Sequence, residues 1–316
     1  MLSPQISVEV RTAIDARHAV VALESTIFSN LGLPSPANAE ALDRCISAIR
    51  GAGAVPAVTA ILDGVARVGL DPVEHDRILG PARKAAERDV PVAMAQRWDF
   101  GATTVSAAVA LAAAAGVEVF ATGGIGGVHR GAEVTGDISA DLEALAAHPV
   151  ITVSAGAKAF LDLGRTLEYL ETRGVPVLGW QHDWFPAFYT RSSGLAVPHR
   201  VEDAATVATV FAARTRPVGV LVAVPIPAEA ELDAAAIDAA LGHALEAAEA
   251  SGVGGAAVTP FVLSAIAAAT GGDSVPANLA LAERNASVAG EIAVAVSRLD
   301  PIGRRASGAR PATPPR

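Results

Sequence analysis

The residues best suited to chemistry in this chain lie between Thr122 and Lys158. A glycine loop, Gly123-Gly124-Ile125-Gly126-Gly127, leads to His129 and Arg130, then to Asp137-Ile138-Ser139-Ala140-Asp141, and finally to Lys158 after Ser154-Ala155-Gly156-Ala157. This run sets bare amides, two carboxylates and one lysine within reach of a single pocket, a combination suited to covalent chemistry on a phosphorylated substrate. Paired glycines can expose amides as an anion nest, but neither G-x-G-x-x-G nor a Walker lysine is present, and a tight turn explains them equally. Asp137 and Asp141 flank Ser139; with a helix starting near Ser139 they can approach one cleft, one of them as a hard oxygen ligand for Mg2+ or Mn2+. Helix capping accounts for the same pattern. Lys158 stands at an expected strand-to-helix junction beside Ala159 and Phe160. Desolvation and a helix N-terminus would both favour the free amine that a Schiff-base nucleophile needs, and a snorkelling surface lysine is the alternative.

Glu24 follows the apolar run Ala19-Val20-Val21-Ala22-Leu23. A carboxylate at the carboxyl end of a buried strand is where open α/β sheets place ligands, and burial there would raise its pKa toward acid–base use. An exposed strand end is the bland reading. The segment from Trp180 to Tyr189 concentrates aromatics in a chain that is only 4% aromatic, which suits a stacked base or, in preference, a subunit interface. Cys45, the single cysteine, falls inside an expected helix; it excludes an intrachain disulfide and reads as a small apolar residue.

These groups need a scaffold, and the scaffold is legible as alternation. Short β-rich runs at 19–26, 58–62, 117–122, 150–154, 175–178 and 218–224 alternate with alanine-rich helical patterns at 38–50, 104–115, 157–173, 234–250, 260–269 and 276–299. That order implies an α/β fold with helices layered on a sheet. Asp63-Gly64 between two apolar runs is a favoured type I′ hairpin turn, so the sheet is expected to be mixed. The last residues, 304–316, are basic and Pro-rich without periodicity and read as a disordered tail, leaving residues 1–303 as a single domain.

Composition limits the partners. A formal net charge of −9 argues against nucleic acid, whose backbone needs a basic face. The most apolar run, residues 105–117, ends at Glu118 and is too short to span a bilayer. No secretory leader is visible at the start, and the expected location is the cytoplasm.

Taken together the segments resemble the pseudouridine-5′-phosphate glycosidase family, also known through indigoidine-synthase-A-like proteins. The resemblance rests on V-A-L-E-S-T-I at 21–27, G-A-T-T-V at 101–105, F-A-T-G-G-I-G-G-V-H-R-G-A-E at 120–133, D-I-S-A-D at 137–141 and A-G-A-K at 155–158. It implies a three-layer α/β/α fold around a central mixed β-sheet, a homotrimer, and reversible cleavage of the C–C glycosidic bond of pseudouridine 5′-phosphate to uracil and ribose 5-phosphate. By the same resemblance Lys158 would be the nucleophile, Glu24 the proton donor and Asp137 the ligand of a divalent metal, Mn2+ or a similar ion. Lys84, Val105, Ser139, Ala140, Asp141 and Asn285 would contact substrate, with Thr122, His129 and the glycine loop also near its phosphate. The family pattern K-x-S-R-R-D reads here Lys84-Ala85-Ala86-Glu87-Arg88-Asp89, which would weaken anion binding if the replaced arginine faced the phosphate. A Schiff-base enzyme for another phosphosugar or C-nucleoside, or a non-catalytic ligand-binding relative, are the alternatives.

Overall fold

The computed structural model describes residues 3–253 and 258–299, so the tail assigned to 304–316 and the end of the domain at 303 lie outside the described residues. Strands form where Val, Ile, Leu and Ala run together: β1 (Gln5–Ile6), β2 (Val20–Leu23), β3 (Val55–Leu62), β4 (Val65–Val68), β5 (Arg83–Ala85), β6 (Phe100–Thr103), β7 (Val119–Ala121), β8 (Ile151–Ser154), β9 (Val177–Trp180), β10 (His199–Val201) and β11 (Val220–Ala223). Those at the centre are buried on both faces, and their sequences are therefore continuously apolar rather than alternating.

The strands pair in the order β1-β4-β3-β2-β7-β8-β11-β9-β10, with β6 against the end of β3 and β5 alongside β6. Every pairing is parallel except β3 with β4 and β3 with β6. The mixed sheet expected from Asp63-Gly64 is present: both residues have positive φ, 53° and 76°, and Leu62 faces Val65 across the turn. A two-residue loop with both φ positive has the twist that matches a right-handed hairpin.

Helices cover both faces. On one lie α1 (Val8–Asp15) and α2 (Ala37–Gly51), with the long C-terminal helix described below. On the other lie α5 (Val105–Ala115), α7 (Ala140–Ala147) and α8 (Leu163–Arg173), after the smaller α3 (Pro72–Ile78), α4 (Val90–Ala95) and α6 (Ala132–Thr135). Farther along the chain come α9 (Ala204–Ala212), α10 (Ala234–Ala250), α11 (Val258–Ala269) and α12 (Ser274–Ser297). The last of these packs on α2, α9 and the strands β2, β7 and β8. Helix α5 is buried almost all round, and its alanines let it lie close between the sheet and α7. Each fully buried Val or Leu contributes roughly 1.5–3 kcal/mol of transfer free energy, which is how a chain poor in aromatics sustains one core.

The expected helix at 157–173 starts later, at Leu163, with Asp162 as its N-cap. Gly156 turns the chain through left-handed backbone, φ 71°, and Ala157 then pairs with Ile125 as an isolated parallel bridge, so the segment past β8 is bridge-paired and not helical. Strands β1, β5, β6 and β10 were not legible in the sequence; each has two to four residues, too few to carry a period. The aromatic segment is corrected as well. Trp180, Phe185, Phe188 and Tyr189 are core residues, and among the aromatics of that run Trp184 alone is strongly exposed, at 46%.

Candidate active site

The carboxyl ends of the adjacent strands β2, β7 and β8 converge. Glu24 follows β2, Thr122 follows β7, and the segment after β8 carries Lys158. Beyond the strand ends the parallel pairing continues as backbone bonds: Ala155 N–H to Gly123 O at 2.9 Å, Ile125 N–H to Gly156 O at 3.1 Å and Lys158 N–H to Ile125 O at 3.1 Å. The lysine is thus carried on a segment bonded through its backbone to the glycine loop, and the helix N-terminus expected beside it lies at Leu163 instead.

Glu24 is buried, and the Thr122 hydroxyl donates to its Oε1. Burial pushes the carboxyl pKa up; the Lys158 charge, the Thr122 hydrogen bond and Lys84 oppose that rise, and Asp141 adds to it. The outcome is a carboxyl that keeps its proton above the ordinary range, as a general acid requires. The void of about 10 Å3 behind it is bounded mainly by apolar side chains, among them Phe28, Cys45 and Ala282. Cys45 is buried there as a small apolar residue, its thiol pushed up to about 12 by burial.

Lys84 approaches from β5, whose register sets it beside Ala102 of β6. Water reaches its side chain, yet enough protein surrounds the ammonium for burial, then Lys158, to lower its pKa, with Asp141, Glu24 and Asp137 opposing. His129 belongs to the same group. Burial lowers its pKa, Asp137 raises it, and Lys158 and Lys84 lower it further; its Nδ1 lies 3.8 Å from Asp137. Glu24, Lys84, His129, Asp137, Asp141 and Lys158 therefore share one electrostatic neighbourhood.

The two aspartates divide in role. Asp141 is buried, its Oδ1 accepting from Ser106 N–H at 3.0 Å and its Oδ2 from Gly126 N–H at 2.8 Å. It ties the start of α5 and the glycine loop to α7, so its oxygens are committed to the protein and it does not join Asp137 as an open ligand. Asp137 has a side chain 43% exposed. Among the described residues no cluster of three or more His, Cys, Asp or Glu gathers around it or elsewhere. Ser139 is the N-cap of α7, its Oγ accepting from Asp141 N–H at 3.2 Å, and Ala140 opens that helix at the surface. Val105 opens α5, whose N-cap Thr104 makes no side-chain capping bond. Two helix N-termini, each with orphan amides suited to an anion, are thereby linked through Asp141.

The glycine loop is not an anion nest. None of residues 123–127 has positive φ, and the amides of Ile125 and Gly126 already have protein acceptors. Its glycines answer to packing. A Cβ on Gly124 would lie 2.5 Å from the Phe188 ring, on Gly126 2.2 Å from Ser139 Oγ, and on Gly127 2.4 Å from Thr166 Oγ1. Thr122 spends its hydroxyl on Glu24, which removes it as a phosphate donor. Asn285, buried on α12, donates from Nδ2 to Thr122 O at 2.8 Å and Gly123 O at 3.1 Å, while its Oδ1 has no partner. Glu87, at the position of the replaced arginine, turns to His148 at 2.8 Å.

Sequence reasoning missed Thr166 and Phe188, which lie against the loop from elements distant in the chain, and Ser106, whose amide holds Asp141; the paired glycines were the available signal for the first two. A cavity of about 450 Å3 beside the lysine segment is bordered by Arg130, Ala159, Asp162 and Thr190. A cleft of about 170 Å3, bordered by Arg17, His18 and Ser297, lies at the opposite ends of β2 and β7.

The chain is similar to known proteins over nearly all of its length. A family model for indigoidine synthase A-like protein matches residues 9–295. A pseudouridine-5′-phosphate glycosidase of Chloroflexus aurantiacus is 50% identical over 93% of this chain and 99% of its own length. The protein of the same name from Sorangium cellulosum is 49% identical over 96% of this chain and 97% of its own. Among solved structures, a prealnumycin C-glycosynthase in complex with ribulose 5-phosphate superposes with a TM-score of 0.86 at 39% identity, covering 94% of this chain and 98% of that one. An indigoidine synthase A-like protein from Thermotoga maritima gives 0.81 at 36% identity, covering 89% and 94%. With the match running almost end to end and the fold shared throughout, the chain belongs to the indigoidine synthase A-like protein family.

Proposed function

We propose that this protein is a pseudouridine-5′-phosphate glycosidase that cleaves the C1′–C5 bond of its substrate, reversibly, to uracil and ribose 5-phosphate through an imine on Lys158. The observation that carries the reading is the buried, Thr122-bonded Glu24, its pKa raised, within electrostatic reach of Lys158 at the mouth of adjacent strands. A carbon leaving group has no exocyclic oxygen to protonate, so a pair of carboxylates of the ordinary glycosidase kind does not suffice. The Lys158 amine attacks C1′, the C1′–O4′ bond breaks, and O4′ takes a proton as the ribose opens. Glu24 then protonates uracil C5. The nitrogen lone pair forms C1′=N while the C1′–C5 electrons restore the uracil double bond, and uracil departs. Water adds to the iminium and releases open-chain ribose 5-phosphate with the free amine.

The phosphate lies in this reading against Lys84 and the N-termini at Val105 and at Ser139 to Asp141, where orphan amides and a cation coincide. Asn285 serves in this reading by holding the carbonyls of Thr122 and Gly123 in place from within the protein. Asp137 is the proposed ligand of a divalent ion, Mn2+ or Mg2+. A single half-exposed carboxylate beside His129 suits a hard cation that keeps most of its waters. When bound, that ion would supply a fixed positive charge that orders water beside the base. A homotrimer in the cytoplasm completes the proposal. The exposed apolar side chains of Val134 and Trp184 are consistent with subunit contact, and no helix among the described residues is long and apolar enough to cross a membrane.

The test pairs two measurements. Borohydride with ribose 5-phosphate should leave a ribose adduct on Lys158 by peptide mapping, and uracil release from pseudouridine 5′-phosphate should vanish in Lys158→Ala. No adduct under turnover conditions would sink the imine. An adduct without uracil release would favour a second reading, a C-glycoside-forming enzyme, for which the likeness to the C-glycosynthase structure is the specific support.

A further inference from the structure

We infer that Thr103 is the positioning residue for Glu24, holding the acid in line through the backbone on both sides of it; the inference rests on Glu24 acting as proton donor under the proposed function. Thr103 ends β6 and is fully buried. Its Oγ1 donates to Thr59 O at 2.8 Å and accepts from Ser25 N–H at 3.1 Å. Its own N–H donates to Ser25 Oγ at 3.0 Å, and its carbonyl accepts from Thr26 N–H at 3.2 Å and Thr26 Oγ1 at 2.7 Å. Thr59 Oγ1, itself 2.8 Å from Thr103 Oγ1, reaches Leu23 O at 2.9 Å.

Leu23 and Ser25 are the immediate chain neighbours of Glu24, and both are anchored in this hydroxyl network. Strand β6 pairs with β3 and β5 and not with β2, so the side-chain bonds of Thr103, Thr59, Ser25 and Thr26, with the one backbone bond from Thr26 N–H to Thr103 O, join the end of β2 to β6 in place of a sheet ladder. No member of the network is bonded to the Glu24 carboxyl, which accepts from Thr122. Thr103 therefore acts by fixing where the Glu24 backbone leaves the strand, and from that point the side chain reaches Thr122. Replacing the hydroxyl by a methyl leaves Ser25 N–H and Thr59 C=O short of a partner in a dry interior, which favours movement of the 24–26 segment over tolerance of the loss. Lys158 and the start of α5 are held by separate bonds, Lys158 N–H to Ile125 O and Asp141 to Ser106, and stay in place.

The experiment uses the full chain with Thr103→Val and Thr103→Ser, following uracil release and, separately, borohydride trapping of ribose 5-phosphate on Lys158. Thr103→Val should lower kcat by about tenfold or more, short of the roughly 10²–10⁴ lost when the general acid itself is removed, with KM and trapping close to wild type. Thr103→Ser, which keeps the hydroxyl, should restore kcat. A wild-type kcat in Thr103→Val, an equal loss in Thr103→Ser, or a parallel loss of kcat and trapping in folded protein overturns the assignment. Should Thr103→Val fail to fold, Thr59→Val, which removes the Leu23 anchor, carries the same expectation and the same refutation. Failure of the underlying reading is distinct: wild-type protein would then release no uracil, and the assignment falls with it.

Discussion

Glu24→Gln isolates the proton while keeping the shape of the site. The amide is nearly isosteric, and its oxygen can still accept from Thr122, as Oε1 of Glu24 does. What disappears is the acidic proton that a buried, pKa-raised carboxyl retains. General acid catalysis is worth about 10²–10⁴ in rate, or about 2.7–5.4 kcal/mol of barrier, and kcat for uracil release should fall by that factor. The pH dependence has a definite sign. With the folded pKa above the unfolded value of 4.5, the acid form persists beyond that value, and wild-type activity declines as pH rises through the folded pKa. Stability follows the same linkage: between the unfolded and the folded pKa the native state binds more protons, so stability is lost as pH rises across that window. Glu24→Gln lacks the titration, and urea unfolding above the folded pKa should find it at least as stable as wild type. Uracil release can be followed by chromatography of quenched samples, and stability by urea unfolding at several pH values. A Glu24→Gln protein that is folded and within about threefold of wild-type kcat would refute the role, since even the weakest general acid contributes more.

Lys84→Met should raise KM for pseudouridine 5′-phosphate by about tenfold or more with a smaller change in kcat, the loss expected of a charge-assisted phosphate contact; an unchanged KM would move the phosphate elsewhere. Asp141→Ala leaves the amides of Ser106 and Gly126 without their carboxylate and should cost about 2–6 kcal/mol of stability, at roughly 1–3 kcal/mol for each unsatisfied group; unfolding within error of wild type would contradict this structural role. Gly126→Ala places a methyl 2.2 Å from Ser139 Oγ and should destabilise by about 1–3 kcal/mol, with a lower melting temperature as the readout.

The sequence by itself determined the layers, the central strands and the hairpin at Asp63-Gly64, because apolar runs and turn chemistry are local signals. It also marked the residues that gather at the site. Glu24 and Lys158 were visible as chemically capable groups at strand ends and Asp137 as a candidate oxygen ligand, and the family resemblance brought in Lys84. Only the tertiary structure decided how each is used. Asp141 looked like half of a carboxylate pair, but its partners are amides 35 and 15 residues away, a distance no local pattern reports. The glycine loop looked like a nest because paired glycines permit one; its φ angles and the nearby Phe188, Ser139 and Thr166 make it a place where neighbours need room. The lysine seemed to open a helix because 157–173 has helical composition, yet the segment is bridge-paired through Ala157 and Ile125 and not helical. Burial raises the pKa of Glu24, and the hydroxyls of Thr103 and Thr59 bracket its backbone. Both depend on strands brought together from separate parts of the chain, and long-range packing sets them where composition cannot.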